Sequence, residues 1–266
     1  MQAKRRVRLS VISTMHYVKL VYRSLLLLGA AAVYIVGRVR TGGLLLTDFL
    51  QHNLLADIIW LVFVVEMICR FFPSRTESMG CQKQFAQNYI PVEGSKPPAW
   101  GKGSRSALAV LAAWLALNGA IGALYFTGVI DEGILLLVSL VYSVCDMVCI
   151  LFFCPFQTWF MKNKCCTTCR IYNWDYPMMF TPLIFVPGVY TWSIVLVALG
   201  LLARWEITYY RHPEWFYEKT NERLACAHCE EKLCHHKKAL TALWNRQMQS
   251  VQDKLPSRQK GQEDSI

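Results

Sequence analysis

The sequence has few charged residues and none of the motifs of a soluble enzyme. Only 17% of its 266 residues are charged and 54% are hydrophobic, whereas soluble domains have about 25% charged residues. It contains no phosphate-binding loop, nucleophile elbow, paired-carboxylate hydrolase site, internal repeat or N-glycosylation sequon. These absences argue against the soluble nucleotide-binding and hydrolytic classes.

The apolar residues are gathered into long runs, and a membrane-crossing helix needs about 20 such residues. We predict spans at about 20–37, 54–72, 107–126, 133–153 and 178–203, followed by a polar tail at 204–266. Arg23 lies near the start of its run, where an arginine can snorkel to the interface. Glu66 and Arg70, four residues apart, are interpreted as a local ion pair. The predicted fold is an all-α integral membrane protein, a bundle of about five transmembrane helices within 1–203.

The distribution of positive charge predicts the orientation of this bundle. Six Lys and Arg residues occur up to Arg23 and six more between Arg70 and Arg105, whereas the turn at 127–132 has none. The N-terminus is therefore expected in the cytoplasm of a cell-membrane protein, with anionic lipid headgroups as the partner of the +10 net charge. The basic residues flank spans rather than forming a groove, so nucleic acid is not an expected partner.

The tail conflicts with this simple orientation. Five spans place residues 204–266 outside, yet residues 203–266 contain eleven Lys and Arg. Either a long tail is translocated despite its charge, which is the simpler interpretation, or the run at 178–203 turns back at Pro187-Gly188 without crossing. Hydrophobic residues recur at helical spacing between Leu233 and Leu255, which predicts an amphipathic helical C-terminal tail and a possible protein partner for it.

Seven of the eleven cysteines lie in two segments, the connector at 154–177 and the tail. Each segment contains a C-x-x-C pair, a spacing that lets two thiolates bind one metal ion. The candidate ligands of zinc or an iron–sulfur cluster are Cys166, Cys169, Cys226, Cys229, Cys165, Cys154, Cys234 and His228. Cys166, Cys169, Cys226 and Cys229 form one shared site only if both segments lie on the same face. Redox-active thiols, or cysteines that are unligated or lipid-modified, are the alternatives.

A second group of polar residues lies within the predicted spans. Asp146, Cys149 and Cys145 share one side of the fourth span, and a carboxylate at this depth needs a partner. Asn118 is a candidate partner for Asp146. The small residues of the third span, such as Gly119 and Ala123, predict a face that packs closely against another helix.

Three functions remain open from the sequence. The first is a membrane protein that binds a metal ion or iron–sulfur cluster through its Cys-rich segments, for redox chemistry or sensing. The second is a small proton-coupled or soft-metal transporter that uses Asp146 and Cys149. The third is a non-catalytic membrane scaffold with a structural zinc ion.

Overall fold

The computed structural model describes residues 10–41, 54–96, 104–163, 165–231 and 233–234, and it is helical apart from one isolated β-bridge within these ranges. Its five long helices are α1 (Val11–Thr41), α2 (Leu54–Cys69), α3 (Ser104–Phe126), α4 (Glu132–Leu151) and α5 (Val189–Arg211). Shorter α-helices are Met79–Gln82 and Asp175–Phe180, the 3-10 helices are Ala86–Asn88, Tyr172–Trp174, Thr181–Phe185, Pro213–Phe216, Glu222–Leu224 and Cys226–His228, and Phe156–Phe160 is a π-helix.

Four of the long helices, α1, α3, α4 and α5, have the length and apolar composition of membrane spans. The described part of the chain is thus consistent with an all-α membrane protein. Helix α2 has 16 residues and is about 24 Å long at 1.5 Å per residue, which is less than the hydrocarbon thickness of about 30 Å. The predicted C-terminal amphipathic helix lies outside the described residues apart from its first two positions.

Helix α1 begins nine residues earlier than the predicted span. The Ser10 hydroxyl accepts a hydrogen bond from the Ser13 amide at 3.1 Å and caps the helix N-terminus. Arg23 therefore lies in the fourth turn of α1, where its side chain is completely buried. The prediction that Arg23 snorkels to the interface is wrong, because the helix extends past it toward the N-terminus.

The short turn at 127–132 joins α3 and α4 in an antiparallel hairpin. Gly128 adopts φ +75°, in the left-handed region that favours glycine. Asp131 then caps α4, because its side chain accepts a hydrogen bond from the Ile134 amide at 2.9 Å. Both features are local, so the sequence alone was enough to predict this turn.

The last apolar run is divided by a break at Pro187-Gly188. The helices Asp175–Phe180 and Thr181–Phe185 run along the bundle toward the C-terminal end of α3. There the Phe185 ring packs against Phe126. Helix α5 then runs back in the opposite direction. Near its C-terminal end, the Trp205 indole nitrogen donates a hydrogen bond to the Arg170 carbonyl at 3.0 Å. The run at 178–203 is thus part of a helical hairpin whose two ends lie side by side.

As a consequence, one end of the bundle gathers most of the segments outside the long helices. This end, here named the connector end, carries the N-terminus of α1 and the described residues 70–96, 154–163, 165–171 and 212–231. An example is Lys83, whose ammonium group donates to the carbonyls of Thr167 and Cys169 at 2.7 and 3.0 Å. The α3–α4 turn lies at the opposite end, where Asp131 pairs with Arg38.

The packing of α3 differs from the prediction. Its buried residues are Ala107, Val110, Trp114, Asn118 and Gly122. Gly119 and Ala123, which were expected on a packing face, are exposed. The large side chains Trp114 and Phe185 fill the contact on the buried side, so the small-residue face points away from the rest of the chain.

Candidate functional site

A cavity of about 280 Å³ lies at the connector end, between α3, α4 and the helix Asp175–Phe180. Cysteines from two segments line it. They are Cys145 and Cys149 of α4, and Cys154, Cys166 and Cys169 of the connector. We name this space the thiol cavity. Its lining includes cysteines that were predicted to lie within the membrane and cysteines that were predicted to lie at the membrane surface.

The local fold of the connector brings these thiols together. Helix α4 ends at Leu151, and the Cys149 thiol is hydrogen-bonded to Cys154 just beyond that end. The Gln157 side chain follows, donating to the Asn163 carbonyl at 2.9 Å and accepting from the Cys166 thiol at 2.8 Å. The π-helix Phe156–Phe160 thus reverses the chain and places the C-x-x-C segment against the end of α4.

Aromatic side chains and thioethers form the walls of the thiol cavity. The rings of Trp114 and Tyr142 lie 4.6 Å apart between their centroids, and Phe156 contacts Trp114 at 6.1 Å. Met178 and Met179 complete the lining from the helix Asp175–Phe180. The surroundings of the thiols are therefore mostly apolar.

Two carboxylates also line the thiol cavity, Asp146 and Asp175. Asp146 lies 3.2 Å from an Arg23 guanidinium nitrogen. Asn118, the partner considered from the sequence, instead donates to the Trp114 carbonyl at 3.0 Å. The partner of Asp146 is therefore a buried cation from α1, 123 residues away in the chain.

A network of ion pairs extends from Asp146 away from the thiol cavity. Arg23 also binds Glu66 at 2.9 Å, and Glu66 lies 3.5 Å from Lys19. Lys19 in turn binds Glu77 at 2.8 Å. A path of paired charges thus links the thiol cavity to the segment that follows α2.

Arg70 joins the second carboxylate of the cavity to this region. It lies 2.7 Å from an Asp175 oxygen and donates to the Asn173 side chain, also at 2.7 Å. The interpretation of Glu66 and Arg70 as a local ion pair is wrong, because α1 and the helix Asp175–Phe180 supply closer partners to each. The network contains four carboxylates against three cations, Lys19, Arg23 and Arg70.

The environment at the connector end shifts the pKa values of two groups near this network. Burial raises the pKa of the Glu77 carboxyl, but Arg70 and Lys19 together outweigh burial and hold that pKa below its usual range. Burial raises the pKa of the Cys169 thiol. Cys169 is therefore a protonated thiol at neutral pH, whereas Glu77 is an anion.

The other predicted metal ligands lie outside the thiol cavity. The Cys165 sulfur is 2.9 Å from the Thr167 hydroxyl, Cys226 is exposed and Cys234 is half-buried. His228 lies 3.7 Å from Glu222. In the described ranges, no three Cys, His, Asp or Glu side chains are grouped so that they could hold a metal ion. Metal binding by the two C-x-x-C segments stays a prediction.

The tail is held to the connector end by ordinary packing and hydrogen bonds. Glu231 accepts hydrogen bonds from the Ser78 hydroxyl at 2.8 Å and the Met79 amide at 2.6 Å, and its carbonyl accepts from Ser13 at 2.8 Å. The Phe216 ring packs edge-on against Trp205 at 4.8 Å. These contacts place the tail, as far as Glu231, at the same end of the bundle as the connector.

Sequence reasoning missed the cations that surround the carboxylates. Lys19 and Arg23 lie four residues apart at the start of an apolar run, as Glu66 and Arg70 do at the end of another. Charged residues inside apolar runs signal partners within the bundle, and this signal was available.

No known protein family, curated protein or solved structure matches the chain.

Proposed function

We propose that this chain is a membrane-embedded thiol–disulfide redox protein in which Cys149 and Cys154 interconvert between a dithiol and a disulfide. The observation that carries the proposal is the hydrogen bond between these two thiols in the thiol cavity. Oxidation forms the Sγ–Sγ bond and releases two protons and two electrons. An external two-electron acceptor, a disulfide or a quinone, takes up both.

Cys166 and Cys169 supply a second pair of thiols in the same cavity. A thiolate attacks a disulfide sulfur and forms a mixed disulfide, so neighbouring pairs can exchange oxidation state without a further reactant. The raised pKa of Cys169 disfavours its thiolate, which leaves Cys166 as the attacking thiol of this pair. In this proposal, Cys166 and Cys169 exchange oxidation state with the half-buried Cys149–Cys154 pair.

A redox titration tests the proposal. The protein in detergent micelles is equilibrated in thiol–disulfide buffers, alkylated and mapped by mass spectrometry. We expect a Cys149–Cys154 disulfide whose fraction follows a two-electron Nernst curve. In such a curve the ratio of disulfide to dithiol changes tenfold for about 30 mV of reduction potential. Cys149→Ser and Cys154→Ser should abolish this transition, whereas Cys69→Ser, an exposed position on α2, should leave it unchanged. Finding no Cys149–Cys154 disulfide at any potential would contradict the proposal.

A second candidate function is soft-metal binding at the same place, either as a resident site or as cargo for transport. The specific observation that favours it is the combination of five thiols and the thioethers of Met178 and Met179 around one cavity, since such ligands select Cu(I). Titration of the reduced protein with Cu(I) and with Zn²⁺ tests this function. One tightly bound ion that is lost in Cys149→Ser supports it, and the absence of stoichiometric binding contradicts it.

Both functions fit an orientation with the connector end in the cytoplasm. The basic residues of 70–96, 154–163 and 165–171 lie at this end, and the α3–α4 turn, with Asp131 and Glu132, lies at the other. Because positively charged segments are retained on the cytoplasmic side, this orientation also brings the basic residues to anionic headgroups.

A further inference from the structure

One side of the thiol cavity meets a surface that the membrane covers. Cys145 lines the cavity and is exposed. On the same face of α4, Val141 and Val148 are exposed to 42% and 38%, and Phe152 is exposed as well. An exposed apolar stripe on a membrane-spanning helix faces lipid, so a hydrophobic molecule can reach the cavity from the hydrocarbon without crossing water.

The walls of the thiol cavity suit a flat ring. Trp114, Tyr142 and Phe156 present aromatic faces and edges, which favour stacked or edge-on contacts with another ring. The Tyr142 hydroxyl is one of the polar groups of the lining and can donate to a carbonyl oxygen. The cavity volume of about 280 Å³ is at the lower limit of small-molecule sites, about 300 Å³, and fits a single ring system with its tail left in the lipid.

We propose that the two-electron acceptor for Cys149 and Cys154 is a lipid-soluble quinone bound in the thiol cavity. This inference rests on the proposed redox function and names its substrate class. The two thiols lose two electrons and two protons and form one disulfide, and the quinone gains both and becomes a quinol. Asp146 lines the cavity one turn from Cys149 and is the carboxylate placed to receive a thiol proton before the quinone oxygen takes it.

Quinone reduction by the purified protein tests this inference. Prereduced protein in lipid nanodiscs is mixed with a short-chain ubiquinone, and loss of quinone absorbance is followed together with disulfide mapping. We expect one quinol per Cys149–Cys154 disulfide. Cys145→Trp should obstruct the cavity and slow quinone reduction about tenfold, equivalent to about 1.4 kcal/mol, while Leu196→Trp, at an exposed position on α5 that does not line the cavity, should not. Oxidation by a water-soluble disulfide should be similar in all three proteins.

The outcomes separate this inference from the proposed function. If the soluble disulfide forms the Cys149–Cys154 bond but the quinone does not, or if Cys145→Trp slows both oxidants equally, the quinone inference is wrong and the redox function stands. If neither oxidant forms this bond, both are wrong. Photolabelling of wild-type protein with an azidoquinone needs no variant, and it should mark α4 or Trp114 and be competed by excess ubiquinone. Labelling elsewhere alone would overturn the inference.

Discussion

At the residue scale, the most consequential side chain is Arg23. It is completely buried and is paired with both Glu66 and Asp146. Removing one member of a buried ion pair leaves an uncompensated charge and costs about 3–5 kcal/mol. We therefore expect Arg23→Met to lower the free energy of unfolding in detergent by about that amount, measured by denaturant titration.

A double substitution separates the charge of Arg23 from its packing. Asp146→Asn keeps a hydrogen-bonding side chain and removes the carboxylate charge whose ion pair Arg23→Met breaks. Arg23→Met combined with Asp146→Asn should therefore be more stable than Arg23→Met alone. If the free energy of unfolding of Arg23→Met is within about 0.5 kcal/mol of the wild-type value, the range of ordinary surface substitutions, the ion-pair network does not stabilise the bundle.

Lys83 provides a prediction about pH. Its burial lowers its pKa to about 7, whereas an unfolded lysine has a pKa of about 10.4. Between these values the unfolded chain binds a proton that the folded chain does not, so stability rises with pH, by up to about 1.4 kcal/mol per pH unit. Lys83→Met should make the melting temperature less dependent on pH between pH 7 and 9. The exposed Lys96→Met is its control, and an equal slope in both variants would contradict the prediction.

The role of an individual residue follows from the sequence only when its partners are close in the chain. The Asp131 cap and the Gly128 turn involve neighbours within a few positions, and both follow from residue preferences. The partners of Asp146 and Arg70 come from α1 and from the segment before α5, and no local pattern identifies which of several charges will meet. The need of a buried charge for a partner was therefore accessible to sequence reasoning, and the identity of that partner was not.

At the scale of elements, the contact between α3 and the segment Thr181–Phe185 depends on Gly122. A Cβ atom at Gly122 would lie 2.5 Å from the Phe185 ring, which forces the ring or the helix to move. Such overpacking costs about 1–3 kcal/mol. Gly122→Ala should therefore lower the melting temperature in detergent.

Gly119 is the matched control on the same helix. A Cβ atom there meets nothing within 4 Å, and alanine is favoured over glycine in a helix by up to about 1 kcal/mol. Gly119→Ala should leave the melting temperature unchanged or raise it slightly. Equal effects of the two substitutions would show that the close contact of Gly122 with Phe185 is not important for stability.

The elements themselves were largely predictable, except where the chain breaks. Long apolar runs identified α3 and α4 to within a few residues. The run at 178–203 was expected as one span, yet it includes the break at Pro187-Gly188, and α5 continues to Arg211. An apolar run is compatible with contact with lipid and with burial against protein. Hydrophobicity therefore does not distinguish a short helical segment that packs against α4 from a helix that crosses the whole membrane.

At the scale of the whole molecule, the structure predicts which segments share a side of the membrane. Residues 70–96 and 212–231 lie at the connector end, and the α3–α4 turn lies opposite. Epitopes inserted at Gly94 and after Glu218 should be detected only after permeabilisation of intact cells, and an epitope at Gly128 without it. Detection of the Gly94 and Glu218 epitopes from different sides would contradict this arrangement.

The ion pairs of Arg23 also have a consequence for biogenesis. Glu66 follows Arg23 by 43 residues and Asp146 by 123, so at about 5–20 residues per second Asp146 is synthesised about 6–25 s after Arg23. Until then, an arginine at the centre of a lipid-embedded α1 would cost about 2.5–3.5 kcal/mol on insertion scales. We therefore expect helix α1 to reach its final position only after α4 has been made, although α1 is translated before α4.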